Sequence, residues 1–378
     1  MKRLFAVAGA LLPLLLLLWA SSANALRLPS APRCAIFPAS NAWNQRVDTL
    51  PVAADSAQLI ASIGLSTGLH PDFGSGLYNG SPIGIPFDVV SKKTAHSRVA
   101  FDYADESDQG PYPIPKAVHI EGGRASDGDR HALLLDRDAC RLYELYALYP
   151  KPGGGWKAGS GAIWSLRSNA VRPAGWTSAD AAGLPIFPGL ARYDEVARGT
   201  IDHALRFTAA RTRRAYVYPA RHYASSSDDL SLPPMGARVR LKAGVDISGY
   251  PRQARIVLQA LKTYGMILAD NGSNWYISGA PDPHWSNDAL HSARRDQGIG
   301  LRGRGHVFAA ASRAVGRTQA RVSAGRCHGE PPSRPRSRTC RARRRRAGSR
   351  HCRDRRPASA SGTEHAKRRG GCRAGGDP

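Results

Sequence analysis

Apolar and polar positions alternate along this chain in short bursts, with few long helical stripes. The run HALLLDRDACRLYELYAL (131–148) carries two apolar stretches around a polar turn at Asp136 to Asp138, which predicts a β-hairpin. TIDHALRFTAA (200–210) alternates as well: Ile201, His203, Leu205 and Phe207 fall on one face, with Asp202, Arg206 and Thr208 on the other. RRAYVYPA (213–220) places Arg214, Tyr216 and Tyr218 together before Pro219 breaks the strand and presents Arg221, His222 and Tyr223. Two segments have helical spacing. One starts at Asp55 or Ser56 and ends at Gly64; the other, PRQARIVLQALKTYG, aligns Ile256, Val257, Ala260, Leu261 and Tyr264 and stops at Gly265. Between these elements Gly and Pro recur in HPDFGSG, YNGSPIGIP, DQGPYPIP and YPKPGGGW, a spacing of short strands and turns. The pattern predicts a mainly β fold: a single β-sandwich or jelly-roll-like domain over residues 26–293 with a few helices.

The strongest apolar run lies at the amino terminus. Lys2 and Arg3 precede LFAVAGALLPLLLLLWA, and Ala23-Asn24-Ala25 supplies small residues for cleavage before Leu26. Residues 1–25 therefore read as a secretory signal peptide, and no later stretch could span a bilayer. The mature protein is expected to be extracellular or periplasmic, monomeric, and free of the membrane once cleaved. Export makes the cysteines legible. Up to residue 293 there are two, Cys34 and Cys140, and a pair in an oxidising compartment predicts a disulfide. The loop it closes is long, for which chain entropy gives roughly 4 to 5 kcal/mol of stabilisation.

Charge alters the picture only in the tail. The formal net charge of +25 suggests a nucleic-acid binder, but residues 294–378 hold 24 Arg or Lys against 5 Asp or Glu, and residues 1–293 hold 30 against 24. No nucleic-acid partner is expected for the body. The tail has neither helical nor strand periodicity and reads as a disordered Arg-rich segment. Its four cysteines, Cys327, Cys340, Cys352 and Cys372, lack the spacing of a zinc module. Arg, Ala, Gly and Pro own the GC-rich codons, so a frameshift explains this composition. Under one legal codon choice Gln297–Val307, read one base forward, encodes the alternating peptide KGSDFEVVDT. The alternative is a genuine Arg-rich extension that binds anionic polymers by counterion release. In the frameshift reading the chain lacks its proper last strand and is expected to be unstable or inactive.

The segments CAIFPASNAWN, GWTSADAAGLPIFPGLARYDEV, IDHALRFT, YVYPARHYAS and LKTYGMILADNGSNWYISGAPD resemble a family of exported bacterial proteins with no assigned activity. The likeness covers roughly residues 34 to 295. Members of that family continue with a peptide close to KGSDFEVVDT. The resemblance implies export and domain limits, and no activity.

Three sets of residues could carry chemistry. Acidic residues gather in FDYADESDQGPYPIP and in EGGRASDGDRH, the latter containing Asp127 and Asp129. Paired carboxylates beside aromatics are what glycoside hydrolysis uses, one protonated as acid and one ionised. The same Asp-x-Asp in a Gly-containing loop suits calcium, and it equally suits loop residues that cap their own backbone. No other metal or cofactor is expected. The second set is His203 on its strand, with His222 and Tyr218 after it. A histidine among apolar neighbours is either a hydrogen-bonded core residue or an acid–base group near neutral pH. With Arg192 of ARYDE, this order is loosely similar to jelly-roll polysaccharide lyases, in which Arg neutralises a uronate while His and Tyr move protons. Here the elements lie closer together, and the Gln-Ile-His and Tyr-Lys-Ala-Gly signatures of those enzymes are absent. The third set is aromatic: Trp164, Trp176 and Trp275, beside polar or Gly-rich loops, can stack on sugar rings, with Arg221 nearby; core packing is the alternative. Thr177 and Asp180 resemble a helix capping box. No Walker loop or HExxH occurs, and the disulfide leaves the body no free thiol. The expectation is a secreted protein that cleaves extracellular or cell-wall polysaccharide, as hydrolase or lyase; the alternative is a non-catalytic carbohydrate-binding or wall-associated protein.

Overall fold

The computed structural model describes residues 26–293 and 308–310. The predicted signal peptide and nearly all of the Arg-rich tail, including its cysteines, lie outside the described residues. The chain opens with α1 (Ser56–Ile63), β1 (His70–Asp72), β2 (Leu77–Tyr78), β3 (Ser81–Pro82), β4 (Phe87–Val90) and β5 (Val99–Phe101). It continues through β6 (Ala132–Asp136), β7 (Arg141–Tyr146), β8 (Tyr149–Pro150), β9 (Trp156–Ala158), β10 (Ser160–Ser165), α2 (Tyr193–Arg198) and β11 (Leu205–Ala209). Last come β12 (Arg238–Leu241), α3 (Arg252–Thr263), β13 (Met266–Asn271), β14 (Tyr276–Ser278), α4 (Asn287–Ser292) and β15 (Phe308–Ala310). The fold is mainly β with a few helices, as the hydropathy pattern predicts. Among the described residues no helix is long and apolar enough to cross a membrane.

The predicted hairpin forms β6 and β7, paired from Ala132↔Leu145 to Asp136↔Arg141. Asp136 turns it by accepting the backbone N–H groups of Asp138 and Ala139 on Oδ1. β6 reads ALLLD because its sheet, in order β10-β7-β6-β4, is covered on both faces. Leu133, Leu135 and Leu142 pack on Leu26, Ile36 and Phe187, while Leu134, Tyr143 and Leu145 pack on Val99, Tyr112 and Ile114. The segment beginning at Leu26 thus closes one side. It is stapled there by the Cys34–Cys140 disulfide, whose partners stand 106 residues apart in sequence.

The second large sheet has the order β1-β14-β11-β13-β12-β15. Its β1/β14 and β11/β13 pairs are parallel and the rest antiparallel, a mixture that hydropathy alternation does not encode. β13 is central, so Met266 to Ala269 are all buried. α3 buries Ala254, Val257, Leu258, Ala260 and Leu261, a face rotated from the expected one, leaving Ile256 and Tyr264 half-buried. Four expectations change here. The strand in TIDHALRFTAA begins only at Leu205. RRAYVYPA makes a single bridge, Tyr216↔Met235, because its neighbours supply no second partner strand. Asp180 caps no helix. The folded part also reaches past Ala293: β15 pairs with β12, and Ala53 N–H donates to Ala310 O. Residues 307–311 (VFAAA) are the one apolar run in the tail, and β12 would otherwise expose an unpaired edge.

Candidate functional site

Loops and strand ends from both large sheets meet in a cleft of about 450 Å³ lined by Tyr103, Glu106, Asp129, Tyr146, Asp180, His222, Asp270 and Asn271. Its floor is a buried charge network. Arg206, pointing from β11, holds Asp180 with two bonds, Nε to Oδ2 at 2.8 Å and Nη2 to Oδ1 at 2.7 Å. Its Nη1 donates to Ser278 Oγ at 2.8 Å, and Nη2 lies 3.4 Å from Asp270 Oδ2. Burial favours the neutral form of Arg206, but the charges of Asp180 and Asp270 outweigh it and raise its pKa. Asp270 is the last residue but one of β13, where the buried apolar stretch gives way to Asn-Gly-Ser. Burial and the charge of Asp180 push its carboxyl up to about 7, against the opposing pull of Arg206 and His131.

The walls are held by similar bonds. Arg172 ties two loops together, donating to Asp108 Oδ2 at 2.7 Å, to Glu106 O at 2.6 Å and to Thr177 O at 2.5 Å. Its guanidinium sits over the rings of Trp164 and Trp176. Glu106 accepts Thr177 N–H at 2.9 Å. His222 is anchored through Nδ1 to Ala181 O at 2.8 Å. A carbonyl only accepts, so Nδ1 carries the proton and Nε2 is the basic nitrogen of the neutral ring.

At one rim, Glu121, Asp129 and His131 bring three potential metal-ligand atoms within 4.8 Å of one another. His131 Nδ1 lies 2.5 Å from Glu121 Oε2, and its Nε2 lies 2.9 Å from Ala179 O. Burial lowers the pKa of His131, yet Glu121 more than compensates and raises it to about 9. At neutral pH both nitrogens therefore bear protons, and the group is an ion pair. A metal ion would have to displace the Nδ1 proton.

Of the sequence-predicted residues, Asp129 and His222 line this cleft. Asp127 is exposed and lies outside its lining. Arg221 is a brace, with Nε donating to Arg172 O. Trp164 and Trp176 flank Arg172, and Trp164 is buried. Trp275 cannot offer a face to a sugar: it is 1% exposed, runs parallel to Phe207 and donates Nε1–H to Gly64 O. Arg192, His203, Tyr218 and His222 do not form one constellation. His203 is 0% exposed, with Nε2 3.1 Å from Glu195 Oε1 and Nδ1 2.7 Å from Ala204 O. Arg192 meets the same Glu195 oxygen at 2.8 Å. The three pin the start of α2, where Glu195 also accepts Arg192 N–H. Tyr218 is 46% exposed beside Pro219, outside the cleft lining.

Neither family models, curated proteins nor solved structures match this chain. The site therefore rests on geometry. A larger cavity of about 710 Å³ is walled by five prolines, Leu28, Leu77 and Phe87 together with His119, Tyr193, Asp194 and Asp282, and Arg192 in its wall is committed to Glu195. The run Gly64-Leu65-Ser66-Thr67-Gly68 fits GxSxG, but it leads from α1 to β1, whereas a nucleophile elbow joins a strand to a helix. Asp180, Asp270 and Arg206 were not legible as site residues. The one local signal was an acidic residue closing an apolar strand before Asn-Gly.

Proposed function

We propose that the protein is an exported glycan hydrolase that works in the cleft of Asp270, Asp129 and His222. The observation that carries this reading is Asp270: a carboxyl open to the cleft, with a pKa near 7, keeps a proton to donate at neutral pH. Glycoside hydrolysis needs such an acid together with a second group in its basic form. Asp129 comes from the other sheet's side of the cleft, and His222 offers Nε2. In the reaction Asp270 protonates the leaving glycosidic oxygen as its bond to the anomeric carbon breaks. Water forms the new bond to that carbon and gives its proton to Asp129, with His222 hydrogen-bonding the same water. Tyr103 and Tyr146 supply ring faces for sugars. Hydrolysis is favoured over lyase chemistry because the Arg, His and Tyr that a lyase would gather are dispersed.

The test is incubation of the full chain with a panel of polysaccharides, reading new reducing ends and ultraviolet absorbance. Expected are reducing ends without absorbance, an alkaline limb in the pH profile near 7, and loss of cleavage in Asp270→Asn. Absorbance from an unsaturated product would indicate a lyase. Retention on a polymer without cleavage would make the protein a binding module, and in either case this reading falls.

A further inference from the structure

We propose that Tyr223 and Tyr216 continue the cleft as a platform for further sugars, so that the site takes a long chain of gluco-configured rings in place of a disaccharide. The proposal rests on the glycan reading above and names the form of its substrate. The chain on either side of Pro219 is pinned. Val217 N–H donates to Met235 O at 2.9 Å and Met235 N–H to Ala215 O at 3.1 Å, while the N–H groups of Arg221 and His222 share Ala182 O at 2.8 and 3.2 Å. Three rings thereby come to rest in nearly one orientation. His222 lines the cleft and is fixed through Nδ1 to Ala181 O; its ring lies 5.6 Å from that of Tyr223, with 1° between the planes. Tyr223 in turn lies 6.5 Å from Tyr216 at 19°. Carbon atoms in contact are about 3.5 to 4 Å apart, so parallel rings at these separations are not superposed, and much of each face stays open. Tyr223 is accordingly 38% exposed. Apolar side chains scattered singly over a surface are ordinary, but rings aligned outward from a cleft form one flat apolar strip. A pyranose whose substituents are all equatorial shows axial C–H groups on both faces and lies flat on such a strip, with its hydroxyls pointing to the edges. An axial hydroxyl would stand between the sugar and the platform. Because the backbone is already pinned, binding costs little ordering of the platform.

The experiment measures calorimetric binding of cello-oligosaccharides, from disaccharide to hexasaccharide, to the full chain carrying Asp270→Asn, so that no oligomer is consumed. Affinity should rise with length. Adding Tyr223→Ala should weaken hexasaccharide binding about tenfold and leave the disaccharide within about twofold. Tyr223→Trp keeps a flat face and should retain the hexasaccharide affinity. Tyr218→Ala removes another exposed tyrosine, outside the cleft lining, and should change neither ligand. A length dependence that survives Tyr223→Ala, equal losses in Tyr223→Ala and Tyr218→Ala, or no binding of any member of the series overturns the proposal. Cleavage of a polysaccharide by the parent protein that is indifferent to Tyr223→Ala removes this inference and leaves the hydrolase reading standing. Tyr223-dependent binding of long oligomers without cleavage by the parent protein does the reverse.

Discussion

Replacing Glu144 by Gln should make the protein more stable at pH 8 and nearly neutral at pH 4. Glu144 lies on β7 with no exposed surface, and its carboxyl accepts Ile186 N–H at 2.9 and 3.0 Å and Phe187 N–H at 2.8 Å. Burial pushes it from 4.5 up to about 7, because those two donors and His131 offset only part of the desolvation and Asp180 adds like charge. A carboxyl whose folded pKa lies above its unfolded one holds its proton more tightly in the native state. Its contribution is therefore complete below pH 4.5 and is lost as pH rises through 7. At 1.36 kcal/mol per unit the loss is about 3 kcal/mol, with no discount for solvent at a fully buried site. Gln keeps an oxygen for the two N–H groups and cannot ionise. Urea unfolding of both proteins across pH 4 to 8, followed by near-ultraviolet circular dichroism, gives the difference directly, since the remaining groups titrate alike in each. A gap between the two that stays constant within about 1 kcal/mol over that range would refute the reasoning.

The paired substitution Cys34→Ala with Cys140→Ala should cost roughly 4 to 5 kcal/mol in urea unfolding; a loss under about 1 kcal/mol would mean that packing alone holds the amino-terminal segment. His131, raised to about 9 by Glu121, contributes stability that is complete below pH 6.5 and lost as pH climbs through 9. The amount is about 3 kcal/mol, and His131→Gln should flatten the profile over that window. Trp275→Ala should cost about 3 to 5 kcal/mol, because a buried ring leaves a cavity and Gly64 O loses its donor. A melting temperature close to that of the parent would show the site able to collapse around the smaller side chain.

Elements whose hydropathy repeats locally were legible. The helices α1 and α3 and the paired runs of β6 and β7 need no partner to be recognised, although the buried face of α3 is set by the sheet beneath it. The candidate site was not legible, because its members come from β11, β13, β14 and several loops that meet only after the sheets form. His203 and His222 illustrate the difficulty. Both follow a polar residue beside strand-like sequence, yet one is sealed beneath α2 and the other opens on the cleft. Depth distinguishes them, and depth is a property of the long-range pairing of β11 with β13. Asp180 misled for a related reason. Thr-x-x-Asp is a helix signal only where a helix follows, and here the carboxylate turns inward to Arg206. Trp275 stands in a polar sequence but adopts φ 62°, and its ring is buried in the core. Polar neighbours in sequence therefore did not mean a polar environment.

Three buried or half-buried carboxyls converge where the two large sheets meet, and their partners are unequal. Asp180 has a two-bonded guanidinium. Glu144 lacks a cation in contact but holds the turn at Ile186 and Phe187 with three bonds. Asp270 has less return. Oδ1 takes only the N–H of its own neighbour, Asn271, and Oδ2 stands 3.4 Å from a guanidinium already committed to Asp180. Its raised pKa is thus a cost to the folded state at neutral pH with little structural work in exchange. Its side chain is also 23% exposed, on the cleft. A domain shaped for stability alone would gain by placing Asn or Leu there. An ionisable group that costs stability, makes one long contact with a guanidinium already paired and faces a cavity is better accounted for by chemistry in that cavity than by packing.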